Sequence, residues 1–327
     1  MRLGRRLGIG ALAVGLLLTS ETPALAGNHP AYKDSWRPVK VRVADLLSRM
    51  RKFMSFRGPD GIEIWTEYDV GFSQTLLRTN AQELTSIRND DFLLTADVRI
   101  DGCGNTDLTD VERILRAYET WGEDCVAHLI GDFAFAIWDK RKRRLFCARD
   151  HFGVKPFFYA RVGNSFVFSN TLNVLRLDRR VSDELNEKAV ADYLELGLNQ
   201  DLSSTVFRDI HRLPAGHTLS LANGSITTRC YWTPAVKREV RFRKPEDYVE
   251  QFNEIFSAAV KDRLRTDRVS ISMSGGLRAV PNYSFEDAPH PDIVVIGAQQ
   301  GQGAPVLLEW LRARTRGPDR SEPSPAS

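Results

Sequence analysis

Ser274-Gly275-Gly276 follows a strand-like run, Val269 to Met273, and precedes a helix start. A glycine turn in that place lets backbone N–H groups approach a pyrophosphate, with the helix dipole assisting. Ser-Gly-Gly is also a common turn, so alone it is a weak signal. Arg57-Gly58-Pro59-Asp60 reads by itself as a tight turn after a helix. The four cysteines, Cys103, Cys125, Cys147 and Cys230, form no CxxC and have no His at metal-ligand spacing, so no metal site is assigned. They are free thiols in a reducing compartment, and in an exported chain they allow two disulfides in three connectivities. No GxSxG elbow, HExxH, Walker A loop or GxGxxG occurs.

The elements that must carry these residues are mixed. Val43 to Phe53 and Leu108 to Trp121 have apolar residues at helical spacing, the second with Asp107 as N-cap and Gly122 as stop. Ile62 to Trp65, Phe92 to Ile100, Arg144 to Arg149, Phe157 to Arg161 and Phe166 to Ser169 read as strands. Phe133 to Trp138 is apolar throughout, as a strand covered on both faces would be. Asn186 to Leu196 reads as a helix, and Thr218 to Leu221 pairs with Ile226 to Tyr231 across an Asn223-Gly224 turn. Thr233 to Lys244 is a polar linker. Pro245 opens a helix with one apolar face, and Asp292 to Ile296 and Val306 to Arg312 read as a strand and a helix.

The 327 residues allow two domains. Lys+Arg 45 against Asp+Glu 42 leaves +3, and no basic face for nucleic acid is visible. The run Lys140 to Arg144 sits between two strands and reads as a solvated hairpin turn. Residues 1–26 look like a secretory signal, with Arg2, Arg5 and Arg6 ahead of the apolar run Ile9 to Leu18 and Ala24-Leu25-Ala26 as the cleavage pattern. The alternative is unrelated upstream sequence. The run is too short to be a stable membrane span.

From about Pro38 to Gly276 the chain resembles glutamine-hydrolysing asparagine synthetases. The resemblance is carried by Arg57-Gly58-Pro59-Asp60, Ala96 to Asp101, Gly131 to Asp139, Ala148 to Tyr159, Phe166 to Ser169, Arg212 to His217 and Tyr231-Trp232. It implies an α+β fold: an αββα sandwich of the N-terminal-nucleophile type, a class II glutamine amidotransferase domain, followed here by a truncated α/β fragment of an ATP-pyrophosphatase domain. It implies glutamine, aspartate and ATP as small-molecule substrates, Mg2+ with the ATP, a cytoplasmic location and room for a homodimer. Asp110 matches the acid that holds the α-amino group of glutamine; the other reading is a carboxylate that favours a helix N-terminus. Asp97-Val98 stand where the family has Asn-Gly beside the oxyanion, and Leu76 near the family's carboxylate-binding arginine. Arg57, Gly58, Pro59 and Asp60 match an architectural turn. Ser274, Gly275 and Gly276 match the ATP loop.

The sequence departs from this pattern. The family nucleophile is a cysteine at the mature N-terminus, whereas no Cys precedes Cys103, and residues 1–37 stand in place of the first strand. The ATP loop continues Leu277-Arg278-Ala279 where the family has Leu-Asp-Ser, and Arg278 cannot hold Mg2+. Gly276 to Pro289 and Pro291 to Ile296 are similar to a middle piece of the DJ-1/PfpI superfamily, whose nucleophilic Cys would fall beyond that piece. The expected organisation is a signal-like segment 1–26, an amidotransferase-like domain 38–235, a truncated synthetase start 236–280, a DJ-1-like fragment 281–313 and a disordered tail 314–327. The departures predict that glutamine hydrolysis and adenylation are impaired. Two other readings are a non-catalytic amidotransferase-fold remnant or binding module, and a Cys-free ligase of the β-lactam synthetase or lasso-peptide cyclase kind.

Overall fold

The computed structural model describes residues 12–18, 39–67, 70–77, 85–102, 108–234, 239–263, 268–272 and 292–296. Its contacts divide into two units, Met1–Lys237 and Arg238–Ser327.

The first unit begins with β1 (Leu12–Leu18), α1 (Val39–Met54), β2 (Gly61–Glu67), β3 (Val70–Leu76), β4 (Ser86–Arg88), β5 (Phe92–Ile100) and α2 (Asp110–Trp121). After a 3-10 segment, Gly122–His128, come β6 (Gly131–Asp139), β7 (Arg144–Arg149), β8 (Phe158–Val162) and β9 (Ser165–Ser169). Two helices, α3 (Leu172–Leu175) and α4 (Glu187–Leu196), precede β10 (Ile210–Arg212), β11 (His217–Ala222) and β12 (Ser225–Cys230).

The strands form two antiparallel six-stranded sheets, in the orders β10-β8-β9-β1-β3-β2 and β12-β11-β7-β6-β5-β4. Strand alternation sorts their side chains into three apolar layers. Along β6, Phe133, Phe135 and Ile137 point towards Ile114 and Tyr118 of α2. Ala134, Ala136 and Trp138 point the other way, into a layer with Phe72, Phe166 and Phe168 of the opposite sheet. The outer face of that sheet, through Ala160 and Val167, packs on Leu47 and Met50 of α1. The order is helix, sheet, sheet, helix, the αββα sandwich that the resemblance implies.

The largest difference from the sequence reading is β1. Residues 12–18, inside the signal-like segment, pair with β3 from Leu12↔Thr75 to Leu17↔Val70 and with β9 from Val14↔Ser169 to Leu18↔Ser165. A strand enclosed by neighbours on both edges is as uniformly apolar as an export signal, so hydropathy cannot separate the two. The first-strand position is filled by these residues, and cleavage after Ala26 would remove it.

Smaller differences have local causes. β3 is buried along its whole length although it carries Ser73, Gln74 and Thr75, so no alternation marks it. The cap of α2 is Thr109: its hydroxyl accepts from the Glu112 N–H at 3.4 Å, and Glu112 Oε2 accepts from the Thr109 N–H at 2.7 Å. This is a reciprocal capping box, and Asp107 lies outside the described residues. Lys140 to Arg144 form the β6–β7 turn as expected, with Lys140, Arg141 and Arg144 paired to Glu67, Asp91 and Glu123. Asn223 and Gly224 have φ of 49° and 74°, the backbone that the β11–β12 turn requires.

In the second unit, α5 (Pro245–Arg263) begins at Pro245 as expected, with Glu246 and Asp247 in its first turn. Here β13 (Arg268–Ser272) and β14 (Asp292–Ile296) pair in parallel. Among the described residues no helix is long and apolar enough to cross a membrane. The helix expected at Val306 to Arg312 and the loop Ser274-Gly275-Gly276 lie outside the described residues.

Candidate functional site

The layer between the sheets turns polar around Asp97. On β5, Leu94 and Ala96 point to α2, so Thr95 and Asp97 point inward. Asp97 is 2% exposed. Its Oδ1 lies 2.6 Å from Lys155 Nζ, and its Oδ2 accepts from Asn170 Nδ2 at 3.2 Å. Thr95 donates to Gln74 Oε1 at 3.1 Å, and Gln74 Nε2 donates to the carbonyl of Thr85 at 3.1 Å. A cavity of about 10 Å³ sits among Thr95, Asp97, Ala136, Phe157, Phe168 and Asn170. That is room for about one water molecule.

Lys155 reaches Asp97 because the loop after β7 is tied in place. Asp97, Ala134 and Arg149 are register neighbours across β5, β6 and β7. The next residue, Asp150, is 1% exposed, and its carboxylate accepts from the N–H groups of Phe152, Val154 and Lys155 at 3.1, 2.9 and 2.8 Å. Arg149 closes the loop from the other side, donating to the carbonyls of Gly153, Lys155 and Leu213 at 2.6 to 2.7 Å. Burial lowers the Arg149 pKa. Tyr231 donates to the Arg149 carbonyl at 2.8 Å. Gly153 has φ +66°, and a Cβ there would come within 2.9 Å of the Arg149 guanidinium.

Asn170 and Thr171 follow β9, and Thr171 Oγ1 accepts from Arg57 Nη1 at 2.6 Å. Gly58 is required beside it, since a Cβ would lie 2.5 Å from the Leu76 nitrogen. Asp60 N–H donates to the Leu76 carbonyl at 3.0 Å, pinning the turn to β3.

Burial raises the Asp97 pKa above its ordinary 3.8; Lys155, Asn170 and Arg57 oppose this only in part. Between pH 3.8 and the raised folded value the native protein therefore keeps a proton that the unfolded chain releases. Stability from this group is complete below pH 3.8 and is lost as pH rises through the raised folded value. Denaturant midpoints across this acidic range are expected to fall less steeply with pH in Asp97→Asn than in the wild type; identical slopes would contradict the assignment.

The residues singled out from sequence divide accordingly. Asp97 is at the centre of the cluster. The Val98 side chain faces α2 instead, on the opposite side of the sheet, because neighbouring strand residues alternate; its side chain does not line the cavity. Asp110 is the first residue of α2, at the positive end of the helix. Arg57 does more than shape a turn, since it acts electrostatically on Asp97 and binds Thr171, while Gly58, Pro59 and Asp60 hold the turn. Leu76 is buried. Ser274, Gly275 and Gly276 lie outside the described residues.

Sequence reading gave no role to Arg149, Asp150, Lys155 or Asn170. The segment Arg149-Asp150-His151-Phe152-Gly153-Val154-Lys155 carried the signal, with an acid able to cap a tight loop and a lysine at its end. Cys125 and Cys147 are buried, and burial pushes the Cys125 thiol up to about 12 and the Cys147 thiol well above its ordinary value. Thiols held protonated are poor nucleophiles.

The family of the glutamine amidotransferase domain matches residues 95–232, from the Asp97 strand through β12. The chain carries a glutamine amidotransferase domain. Over 256 residues the chain is 30% identical to asparagine synthetase [glutamine-hydrolyzing] 3 of Bacillus subtilis, an alignment covering 72% of this chain and 41% of that protein. It is 30% identical over 275 residues to putative asparagine synthetase [glutamine-hydrolyzing] 2 of Methanocaldococcus jannaschii, covering 73% and 53%. The amidotransferase chain thus spans about half or less of the length of these relatives. Among solved structures it is similar to the glutamine phosphoribosylpyrophosphate amidotransferase of B. subtilis, at TM-score 0.44 and 11% identity over 91% of this chain and 70% of that one.

Proposed function

We propose that this amidotransferase domain, of the asparagine synthetase kind, does not hydrolyse glutamine and acts as a closed, non-catalytic member of its fold. One observation carries the reading. Asp97 stands where the family resemblance puts an asparagine beside the oxyanion, and it is paired with Lys155 at 2.6 Å and lines a cavity of about 10 Å³. An oxyanion needs hydrogen-bond donors aimed at the developing charge, and loss of one costs about 10²–10³-fold in rate. An aspartate there lacks the carboxamide N–H donors of the asparagine, and its ionised form repels the charge. The cavity holds about one water, less than a glutamine side chain occupies. The aspartate amidation and ATP chemistry of the relatives are no part of this reading, since the 274–279 loop that would hold Mg-ATP has Arg278 in place of the family's acid.

Equilibrium dialysis of the full chain against glutamine tests the closure. No binding is expected across about 1 μM–1 mM, the usual range of enzyme KM values. Saturable binding in that range would overturn it.

A further inference from the structure

The cluster around Asp97 brings an amine, a carboxylic acid and a carboxamide together inside the sandwich. Lys155 Nζ is 2.6 Å from Asp97 Oδ1 and Asn170 Nδ2 is 3.2 Å from Oδ2. Both nitrogens bind the two oxygens of one carboxylate, so the amine and the carboxamide are neighbours. Phe157 and Phe168 of the layer between the sheets wall the cavity beside Asp97, which has room for about one water. Arg149 and Asp150 fix the loop that delivers the lysine, and the Asp97 side chain is 3% exposed.

We propose that Lys155 and Asn170 become joined by an isopeptide bond that the folded protein forms unaided, with Asp97 as proton carrier. In the first step the Lys155 ammonium gives a proton to Asp97, leaving a neutral amine. Burial of Asp97 favours its protonated form. The Nζ lone pair then attacks Cγ of Asn170. Asp97 passes its proton to Nδ2 and takes one from Nζ. The Cγ–Nδ2 bond breaks, ammonia leaves, and Asp97 remains protonated. No oxidant or co-reactant is needed.

A carboxamide is a poor electrophile in water. The shared Asp97 carboxylate holds the amine and the carboxamide side by side, and well-oriented intramolecular partners reach effective molarities of about 10⁵–10⁸ M. The step occurs once per molecule and does not depend on the proposed loss of glutamine hydrolysis. A linked protein that turned over glutamine would keep this inference and overturn that reading.

Mass spectrometry of a denatured tryptic digest of the full chain decides it. Lys155 precedes Pro156, where trypsin does not cut, so it lies in peptide 150–161, and Asn170 lies in peptide 162–176. The wild type is expected to yield the two peptides linked, lighter by one ammonia than their sum. Lys155→Arg and Asp97→Ala are expected to yield them separate and unmodified. Separate, unmodified peptides from the wild type would overturn the inference, and because that readout uses denatured wild-type protein, it stands whether or not the variants fold.

Discussion

A protein lacking residues 1–26 fails to fold, while the full chain unfolds cooperatively. β1 lies in the interior of its sheet, between β9 and β3. Its removal strips both neighbours of a ladder and leaves a gap of about 10 Å, two strand spacings, that β9 and β3 cannot close without moving α1 and the facing sheet. Each backbone group left buried and unpaired costs about 1–3 kcal/mol. The sum over two ladders exceeds the 5–15 kcal/mol of net stability typical of a domain. Circular dichroism of the truncated protein is expected to show no cooperative thermal transition. A natively folded protein beginning at Gly27, detected by N-terminal sequencing, would contradict the role of β1.

Asp150→Ala is the point substitution expected to damage the amidotransferase domain most. The carboxylate is buried and accepts three backbone N–H groups of the loop that carries Lys155. Alanine leaves those donors without an acceptor, for a loss of about 3–5 kcal/mol. In a domain of this size that lowers Tm by about 2–4 °C for each kcal/mol. Asp201 makes similar turn bonds, to the Ser203 N–H and hydroxyl, at an exposed position, and Asp201→Ala is expected to change stability by about 0.5 kcal/mol or less. Comparable losses at the two sites would show that burial of the Asp150 acceptor is not what holds the loop.

How much of this was legible depended on whether the deciding interaction was local. The fully apolar run of β6, the capped amphipathic helix α2 and the Asn223-Gly224 turn are written in neighbouring residues, and each formed where its pattern stood. The Thr109 cap was missed by two positions because Asp107 and Thr109 are both good caps and only the reciprocal Glu112 distinguishes them. β1 was not read as a strand because an enclosed strand and an export signal share one composition. β3 was not seen because its polar residues are buried, Gln74 through bonds to Thr85 and Thr95, which periodicity cannot register.

The site was legible only as an alignment of motifs. Asp97 and Lys155 are far apart in the chain and meet because β5, β6 and β7 stand in register and the Asp150 loop folds back over them. The family resemblance suggests only that Asp97 stands where the family has an asparagine. That the carboxylate is paired with a lysine, and that the cavity it lines among the described residues has room for about one water, follows only from the packing.

The most direct test of that closure is ammonia release from glutamine by the purified full-length protein, followed in a coupled assay beside a heat-denatured sample. The Asp97–Lys155 pair predicts equal rates in the two. Sustained turnover by the native protein would show that glutamine reaches a working site, and would contradict the closed pocket.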